Sequence, residues 1–278
     1  MNKIALQPWK NSVDKKEFTW KEGNDSIKLK ISGENLQPTF YKNNQILEKD
    51  FSIKSFYFKT KEGRKLNAWL LQSTTEKPKA SVFALHGNAT NINVHHQNFS
   101  DLTKNGFQVF IFDYSGFGFS EGNSTRKNAL EDAFSAFDFF ENLDEVKNTP
   151  KIIYGQSFGG NLAIPVATKN QNKIEGLVVE GTFMNLKNIA NSVIPVVGGF
   201  VISNNYNNRQ NLKKIKKPIL IIHSKEDKVV NFKLGKQIFK NANQPKEFFE
   251  IDKPHINGIR FYHNEISKKI DFLILKAN

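Results

Sequence analysis

The stretch Gly155-Gln156-Ser157-Phe158-Gly159-Gly160 decides the fold, because it joins an apolar run to a helix-like segment. Ile152-Ile153-Tyr154 precedes it, and Leu162-Ala163-Ile164 follows it. In a G-x-S-x-G pattern, glycines two residues before and two residues after the serine leave room for a strained turn. We therefore predict a sharp strand-to-helix turn that holds the Ser157 hydroxyl out of the surface.

The length and composition fit one large globular domain. The chain has 278 residues, 38% hydrophobic and 12% aromatic, so it can bury an ample core. It contains no cysteine, which excludes disulfides, a thiol nucleophile and thiolate metal sites. The apolar segment Ile4-Ala5-Leu6 is too short for a signal peptide, and no apolar run is long enough to cross a bilayer.

The net charge of +13 is concentrated towards the end of the chain. Residues 209–278 hold 16 Lys and Arg against 7 Asp and Glu, which fits either attraction to an anionic surface or lysines on solvated helix faces. These basic residues are dispersed apart from Lys213-Lys214-Ile215-Lys216-Lys217, and no nucleic-acid motif accompanies them. We expect no nucleic-acid partner, and peripheral membrane contact stays open.

Apolar runs alternate with helical patterns along most of the chain. Two runs, Ile53–Phe58 and Leu66–Leu71, flank Lys61-Glu62-Gly63-Arg64 and predict a hairpin. Further strands are predicted at Val82–Leu85, Val109–Phe112, Lys151–Tyr154, Leu177–Val179, Ile219–Ile222 and Phe248–Ile251. Repeated strand-helix units with continuous apolar strands predict an α/β fold, in which helices cover both faces of a mostly parallel central sheet.

One of the predicted helices follows Ser124, and Ser124 or Asn123 is expected to cap it. Its apolar stripe consists of Leu130, Ala133, Phe134, Phe137 and Phe140. The spacing of these residues is that of a helix with one buried face.

The chain divides into an extension, residues 1–45, and a main domain, residues 46–278. The extension is polar, with a possible strand at Ile27–Ile31. Within the main domain, an insertion at about residues 182–212 interrupts the alternation of strands and helices and includes the apolar stretch Ile189–Ile202. A connection this long is usually functional. We predict a small helical cap over the site, with an ordinary crossover helix and a long loop as the alternative.

A serine nucleophile needs a base, and chain order leaves few histidines for that role. In folds with this turn the order is serine, acid, histidine, which excludes His86, His95, His96 and His223. His255 follows the predicted strand Phe248–Ile251 in a loop, which suits a base at a strand end. His263 lies inside a helical pattern and is expected on a helix surface.

The acid that orients this base is predicted to be Asp227. It follows the strand Ile219–Ile222 in a loop, where its carboxylate can accept a hydrogen bond from the histidine Nδ1. Glu180, which ends the preceding strand, is a serious rival because that position also faces the site. Asp252 is a weaker candidate.

Two backbone amides are predicted to stabilise an oxyanion. One is the amide of Phe158, which follows the serine, and the other is that of Asn88 rather than Ala89. The loop Asp113–Ser120 lacks the third glycine of a dinucleotide fingerprint, so we interpret it as structural. His95-His96 has no metal-ligand spacing, so we expect both histidines on a helix surface and expect no metal or cofactor.

These motifs together resemble the α/β-hydrolases. The resemblance spans about residues 36–275 and rests on His86-Gly87-Asn88-Ala89, Asp113–Ser120, Gly155–Gly160, Glu180-Gly181-Thr182-Phe183, Asp227 and His255-Ile256-Asn257. It points to a branch of small serine hydrolases that includes membrane-associated acyl-protein depalmitoylases and bacterial members. Two departures stand out: Ser115 replaces a common arginine, and Pro165 should kink the helix after the turn.

The resemblance implies Ser157 as nucleophile, His255 as base and Asp227 as acid, with the Asn88 and Phe158 amides as oxyanion hole. We expect hydrolysis of a carboxylic ester or thioester in a small or lipid-like acyl substrate. The alternatives are an amide or peptide hydrolase with the same residues, and a non-catalytic binding protein with this fold.

Overall fold

The computed structural model describes residues 6–12, 14–75, 77–185 and 206–277. The strands are β1 (Gln7–Pro8), β2 (Glu17–Glu22), β3 (Asp25–Ser32), β4 (Gln37–Lys42), β5 (Gln45–Ile46), β6 (Phe51–Lys59), β7 (Lys65–Ser73), β8 (Ala80–Leu85), β9 (Ala89–Thr90), β10 (Phe107–Phe112), β11 (Lys151–Gln156), β12 (Gly176–Glu180), β13 (Ile219–Ser224) and β14 (Lys246–Ile251). The helices are α1 (Ile92–His95), α2 (Gln97–Ser100), α3 (Arg126–Glu141), α4 (Phe158–Asn170), α5 (Asn208–Lys214), α6 (Phe232–Asn241) and α7 (Gly258–Ala277).

Eight strands form the central sheet in the order β14-β13-β12-β11-β8-β10-β7-β6. The strands from β14 to β10 in this order are parallel, and the β6-β7 hairpin adds an antiparallel edge. Strands β8, β10, β12 and β13 are buried along their whole length, as parallel strands covered on both faces must be. The predicted fold class is confirmed.

Two apolar layers cover the sheet. On one face, α3, α4, α5 and α6 contribute side chains such as Phe137, Leu162 and Ile238. On the other face, α7 and the short helices α1 and α2 contribute side chains such as Ile266 and Phe99. Because both layers are closed, the carboxyl ends of the parallel strands are the edge at which loops can form a site.

The N-terminal residues form a second, antiparallel sheet in the order β2-β3-β4-β5. The possible strand at Ile27–Ile31 lies within β3. Leu29, Ile31 and Phe40 are buried in the same apolar layer as α7, so this small sheet packs on the main domain. The division at residue 45 remains a prediction, and it falls inside β5.

Helix α3 begins one residue later than the predicted caps allow. Thr125 is its N-cap, and the Thr125 hydroxyl accepts a hydrogen bond of 3.1 Å from the Asn128 amide. The prediction of Ser124 or Asn123 as cap was therefore wrong. The correction reflects backbone geometry, since Thr125 is the residue with extended dihedral angles (φ −119°, ψ 154°) directly before the helix.

Helix α4 continues through Pro165 to Asn170. Proline has no N–H, so the carbonyl of Asn161 loses its usual donor four residues on. The side chain of Asn208, at the start of α5, donates to that carbonyl at 2.8 Å. The chain thus supplies from another helix the donor that Pro165 lacks.

Most of the predicted cap lies outside the described residues, because residues 186–205 are not described. Among the helices that are described, none has both the length and the hydropathy needed to cross a membrane.

Candidate active site

The loops that carry the predicted site residues leave the sheet at one edge. Ser157 follows β11, Glu180 ends β12, and Asp227 follows β13. His255 follows β14, and the loop His86-Gly87-Asn88 follows β8. Since all five strands are parallel, their carboxyl ends bring these loops together at the ligand-binding edge of the sheet.

Ser157 has a strained backbone, with φ 53° and ψ −118°. Such a conformation is unfavourable for a residue with a Cβ and persists only where neighbours hold it. The Ser157 amide donates to the Glu180 carbonyl at 2.9 Å, and the Thr182 hydroxyl donates to the Ser157 carbonyl at 2.5 Å. These bonds fix the turn to the neighbouring strand and keep Ser157 partly exposed.

The glycines beside Ser157 allow a close approach of backbones. A Cβ on Gly159 would lie 2.0 Å from the Leu85 carbonyl oxygen, and one on Gly155 would lie 2.5 Å from the Gly159 oxygen. Neither glycine has a positive φ. The two glycines are therefore needed because α4 packs too closely against β8 and β11 to leave room for a Cβ. The strained backbone angles belong to Ser157 alone among the three.

Asp227 and His255 are joined directly. The Nδ1–H of His255 donates to Oδ2 of Asp227 at 2.6 Å, and the Asp227 side chain is only 1% exposed. Its Oδ1 accepts from the amides of Val229 and Val230 at 2.8 and 2.7 Å. Burial alone would raise the pKa of Asp227, but these three hydrogen bonds hold it below the usual value. The carboxylate is therefore ionised and aimed at the imidazole.

Two glycines place the neighbouring loops against these residues. A Cβ on Gly87 would lie 3.7 Å from Cβ of Ser157 and 3.9 Å from Cδ1 of Ile256, the residue after His255. A Cβ on Gly181 would lie 3.1 Å from both Cε1 and Nδ1 of His255. The Gly87 loop and the His255 loop thus border the strained serine.

Glu180 occupies a different position from Asp227. Its Oε2 accepts from the Tyr154 hydroxyl and the Gln156 amide, both at 2.8 Å, and its Oε1 accepts from the Gly258 amide at 2.6 Å. Burial raises the pKa of Glu180 despite these bonds. The residue ties the end of β11 to the start of α7, and none of these bonds involves His255. Asp252 is exposed and accepts from Tyr262.

The two amides predicted for the oxyanion hole lie at the same edge. Phe158 is the first residue of α4, so its N–H has no acceptor within the helix. Asn88 lies directly before β9, and its carbonyl accepts from the Gln7 amide at 3.1 Å. This bond anchors the loop after β8 to the N-terminal segment.

The prediction of His95 and His96 on a helix surface was wrong. His95 is 7% exposed and His96 is fully buried, because α1 packs beneath the loop after β8. His86 stacks on His95 with ring centroids 4.7 Å apart. Burial lowers the pKa of all three histidines. Nothing in the spacing indicated this cluster, since α1 spans only four residues.

The loop Asp113–Ser120 is structural, as predicted, but it contains a buried acid that the pattern did not single out. Asp113 is 1% exposed and its Oδ1 accepts from the Ile92 amide at 2.8 Å. Burial raises its pKa well above the usual range. The Tyr114 hydroxyl donates to the His86 carbonyl at 2.9 Å, which fixes this loop to the one that follows β8.

Comparisons with known proteins agree with this architecture. A family model described as serine aminopeptidase, S33, matches residues 76–204. YfhR of Salmonella typhi is 30% identical over 219 residues, which cover 73% of this chain and 75% of YfhR. The chain belongs to the α/β-hydrolase family. This membership confirms the predicted resemblance, and it makes the protein a hydrolase.

Two further comparisons extend over more of the α/β-hydrolase. YfhR of Escherichia coli K12 is 29% identical over 248 residues, or 86% of this chain and 87% of that protein. An esterase from Pyrococcus furiosus superposes with a TM-score of 0.67 at 19% identity and covers 81% of this chain and 91% of its own. The likeness to the esterase shows the shared fold.

Proposed function

We propose that this α/β-hydrolase cleaves carboxylic ester or thioester bonds through Ser157, His255 and Asp227. The observation that carries the proposal is the 2.6 Å hydrogen bond between His255 and Asp227, formed at the sheet edge where Ser157 has a strained backbone. A serine becomes nucleophilic when a base that is itself oriented by a third group removes its proton.

In the proposed mechanism, Oγ of Ser157 attacks the substrate carbonyl while Nε2 of His255 takes the hydroxyl proton. Asp227 accepts from Nδ1 of His255, which selects the tautomer with a free Nε2 and stabilises the imidazolium. The amides of Phe158 and Asn88 receive the developing oxyanion. His255 then gives its proton to the leaving group, and a water molecule releases the acyl group from Ser157.

Apolar side chains around the turn favour an acyl chain. Phe158 follows the nucleophile, and Phe183 follows Thr182, which bonds the Ser157 carbonyl. Both phenylalanines are nearly buried. An apolar pocket with a few polar groups suits a small acyl substrate.

A series of p-nitrophenyl esters from acetyl to palmitoyl tests the proposal, with Ser157→Ala as control. Wild-type protein should hydrolyse at least part of the series, and the alanine variant should stay at the background rate. Turnover by wild type no greater than by Ser157→Ala at every chain length would contradict ester hydrolysis.

Amide hydrolysis is the second candidate, because the matching family model is described as a serine aminopeptidase. The same three residues can attack an amide, which differs in its leaving group. Aminoacyl p-nitroanilides distinguish the two: faster turnover of these than of the matched p-nitrophenyl esters would favour the peptidase. A protein that turns over neither class and fails to react with a fluorophosphonate would be a binding protein.

Peripheral contact with an anionic membrane is a further part of the proposal. Val229 and Phe261 are exposed by 59% and 52%, and they lie in the loop of Asp227 and at the start of α7, near His255. Lys253 and Arg260 lie 5.5 and 5.8 Å from the ring of Phe261, so cationic and apolar groups occur together. Co-sedimentation with vesicles should increase with anionic lipid; binding independent of lipid charge would count against it.

A further inference from the structure

A cavity lies outside the proposed catalytic site, where the N-terminal residues meet α1 and α2. Its volume is about 440 Å³, within the range of cavities that bind small organic molecules. The residue groups that form its walls are the N-terminal segment, strand β2 and the residues Asn91–Gln97. Ser157, Asp227 and His255 do not line it.

Aromatic side chains form much of this cavity. Trp9, Phe18 and Trp20 line it together with Val94. Trp9 is 55% exposed and Val94 is 43% exposed. A patch of exposed apolar side chains in a cavity is typical of a ligand-binding surface. Flat aromatic walls favour a ring as the occupant, because stacked or edge-to-face rings add to the gain from burial.

Two side-chain amides in the walls carry groups that form no hydrogen bond with the described residues. Asn93 is 92% buried (8% exposed), and its side chain forms no hydrogen bond with the described part of the chain. The Nδ2 group of Asn11 is buried without an acceptor among the described residues, while its Oδ1 accepts from Asn91 at 3.3 Å. A buried donor without a partner costs free energy, so Nδ2 of Asn11 favours an occupant that carries an oxygen atom.

The charge of the walls indicates the sign of that occupant. None of the described lining residues is an Asp or Glu, whereas Lys15 lines the cavity. The Lys15 ammonium lies 5.5 Å from the centroid of the Phe18 ring and forms no salt bridge within the described residues. We propose that this cavity is a second ligand site, which binds a small aromatic carboxylic acid with its ring between the tryptophans and its carboxylate at Lys15.

One wall of the cavity is hydrogen-bonded to the predicted oxyanion loop. Strand β1 pairs with β9, and the Trp9 amide donates to the Thr90 carbonyl at 3.1 Å. Thr90 has a φ of 64°, a strained value for a β-branched residue. A ligand held against Trp9 therefore supports the segment that holds Thr90 and Asn88 in place.

Calorimetric titration with 2-naphthoate tests the site on the full chain, with 2-naphthylmethanol as its neutral counterpart. Trp9→Ala should weaken naphthoate binding at least about tenfold, since it removes a central aromatic contact. Lys15→Met should weaken naphthoate binding several-fold and leave binding of the alcohol unchanged. Ile46→Ala, an exposed residue of the same small sheet, is the matched control and should bind like wild type.

The proposal is overturned if wild type does not bind naphthoate at millimolar concentration, or if Trp9→Ala and Lys15→Met bind it as well as wild type does. Ser157→Ala should bind it unchanged, and a loss there would place the probe in the catalytic pocket. Calorimetry needs no turnover, so these results stand whether or not ester hydrolysis is found.

An effect of the bound ligand on catalysis rests on the proposed function. If the protein hydrolyses p-nitrophenyl butyrate, saturating naphthoate should change kcat for this ester in wild type and not in Trp9→Ala.

Discussion

Nδ1 of His255 lies 2.6 Å from Oδ2 of Asp227, although the two residues are 28 positions apart and belong to loops after different strands. The adjacent strands β13 and β14 are parallel and in register from Ile219 opposite Lys246 to Ser224 opposite Ile251. Both loops consequently start at the same height above the sheet, which makes the contact a product of the fold.

Replacing Asp227 by Asn should lower kcat for p-nitrophenyl butyrate by about 10³- to 10⁴-fold, the loss typical of an acid that selects the histidine tautomer. Glu180→Gln should lower it far less, because Glu180 bonds Tyr154, Gln156 and Gly258. Glu226→Gln, an exposed neighbour of Asp227, is the control. A larger loss with Glu180→Gln than with Asp227→Asn would reverse the assignment of the acid.

Asp227 should also stabilise the fold in a pH-dependent way. Its hydrogen bonds lower its native pKa below the ordinary value of 3.8, so the native state binds this proton less readily than the unfolded state. The resulting stability is complete above that ordinary value and is lost as the pH falls through the lower native pKa. In urea titrations, the stability difference between wild type and Asp227→Asn should narrow as the pH falls below about 4. A difference that widens as the pH falls from about 4 to 2 would contradict this sign.

The strands of the sheet could be predicted because parallel strands covered on both faces are continuous apolar runs, as in Val109–Phe112 and Ile219–Ile222. The contact between Asp227 and His255 also followed, since chain order and strand ends left few candidates. His95 and His96 were misplaced because a four-residue helix has too short a pattern to show which side is buried. The cavity at Trp9 depends on how the N-terminal residues pack against α1 and α2, which no local pattern records.

The loop Asp113–Ser120 is hydrogen-bonded to Arg64, which lies in the turn between β6 and β7. Nε of Arg64 donates to the Ser115 hydroxyl at 2.9 Å, and Nη2 donates to Oδ1 of the fully buried Asp132 at 3.0 Å. The hairpin therefore supplies a guanidinium to this loop.

Arg64→Met should destabilise the protein by about 2–4 kcal/mol, because it leaves the buried Asp132 carboxylate without its cation. Urea denaturation measures this. Lys61→Met is a matched control in the same turn, whose partner Asp138 is partly exposed, and it should change stability little. Equal effects of the two substitutions would show that the Arg64 contacts contribute nothing beyond surface charge.

The contact between Asn208 and the Asn161 carbonyl should depend on Pro165. In wild type, Asn208→Ala removes the substitute donor and should cost about 1–2 kcal/mol. In a Pro165→Ala background the new backbone N–H can bond that carbonyl, so the same substitution should cost less. A double-mutant cycle from urea unfolding gives the difference. Equal costs in both backgrounds would contradict the compensation.

The central claim is that Ser157 is a nucleophile activated by His255 and Asp227. Intact-protein mass spectrometry after reaction with a fluorophosphonate tests it most directly. Wild type should gain the mass of one phosphonyl group, located on Ser157 by peptide mapping. His255→Ala should react far more slowly, and Ser157→Ala should gain nothing. A wild-type protein that stays unlabelled, or a Ser157→Ala variant labelled as fully as wild type, would contradict the claim.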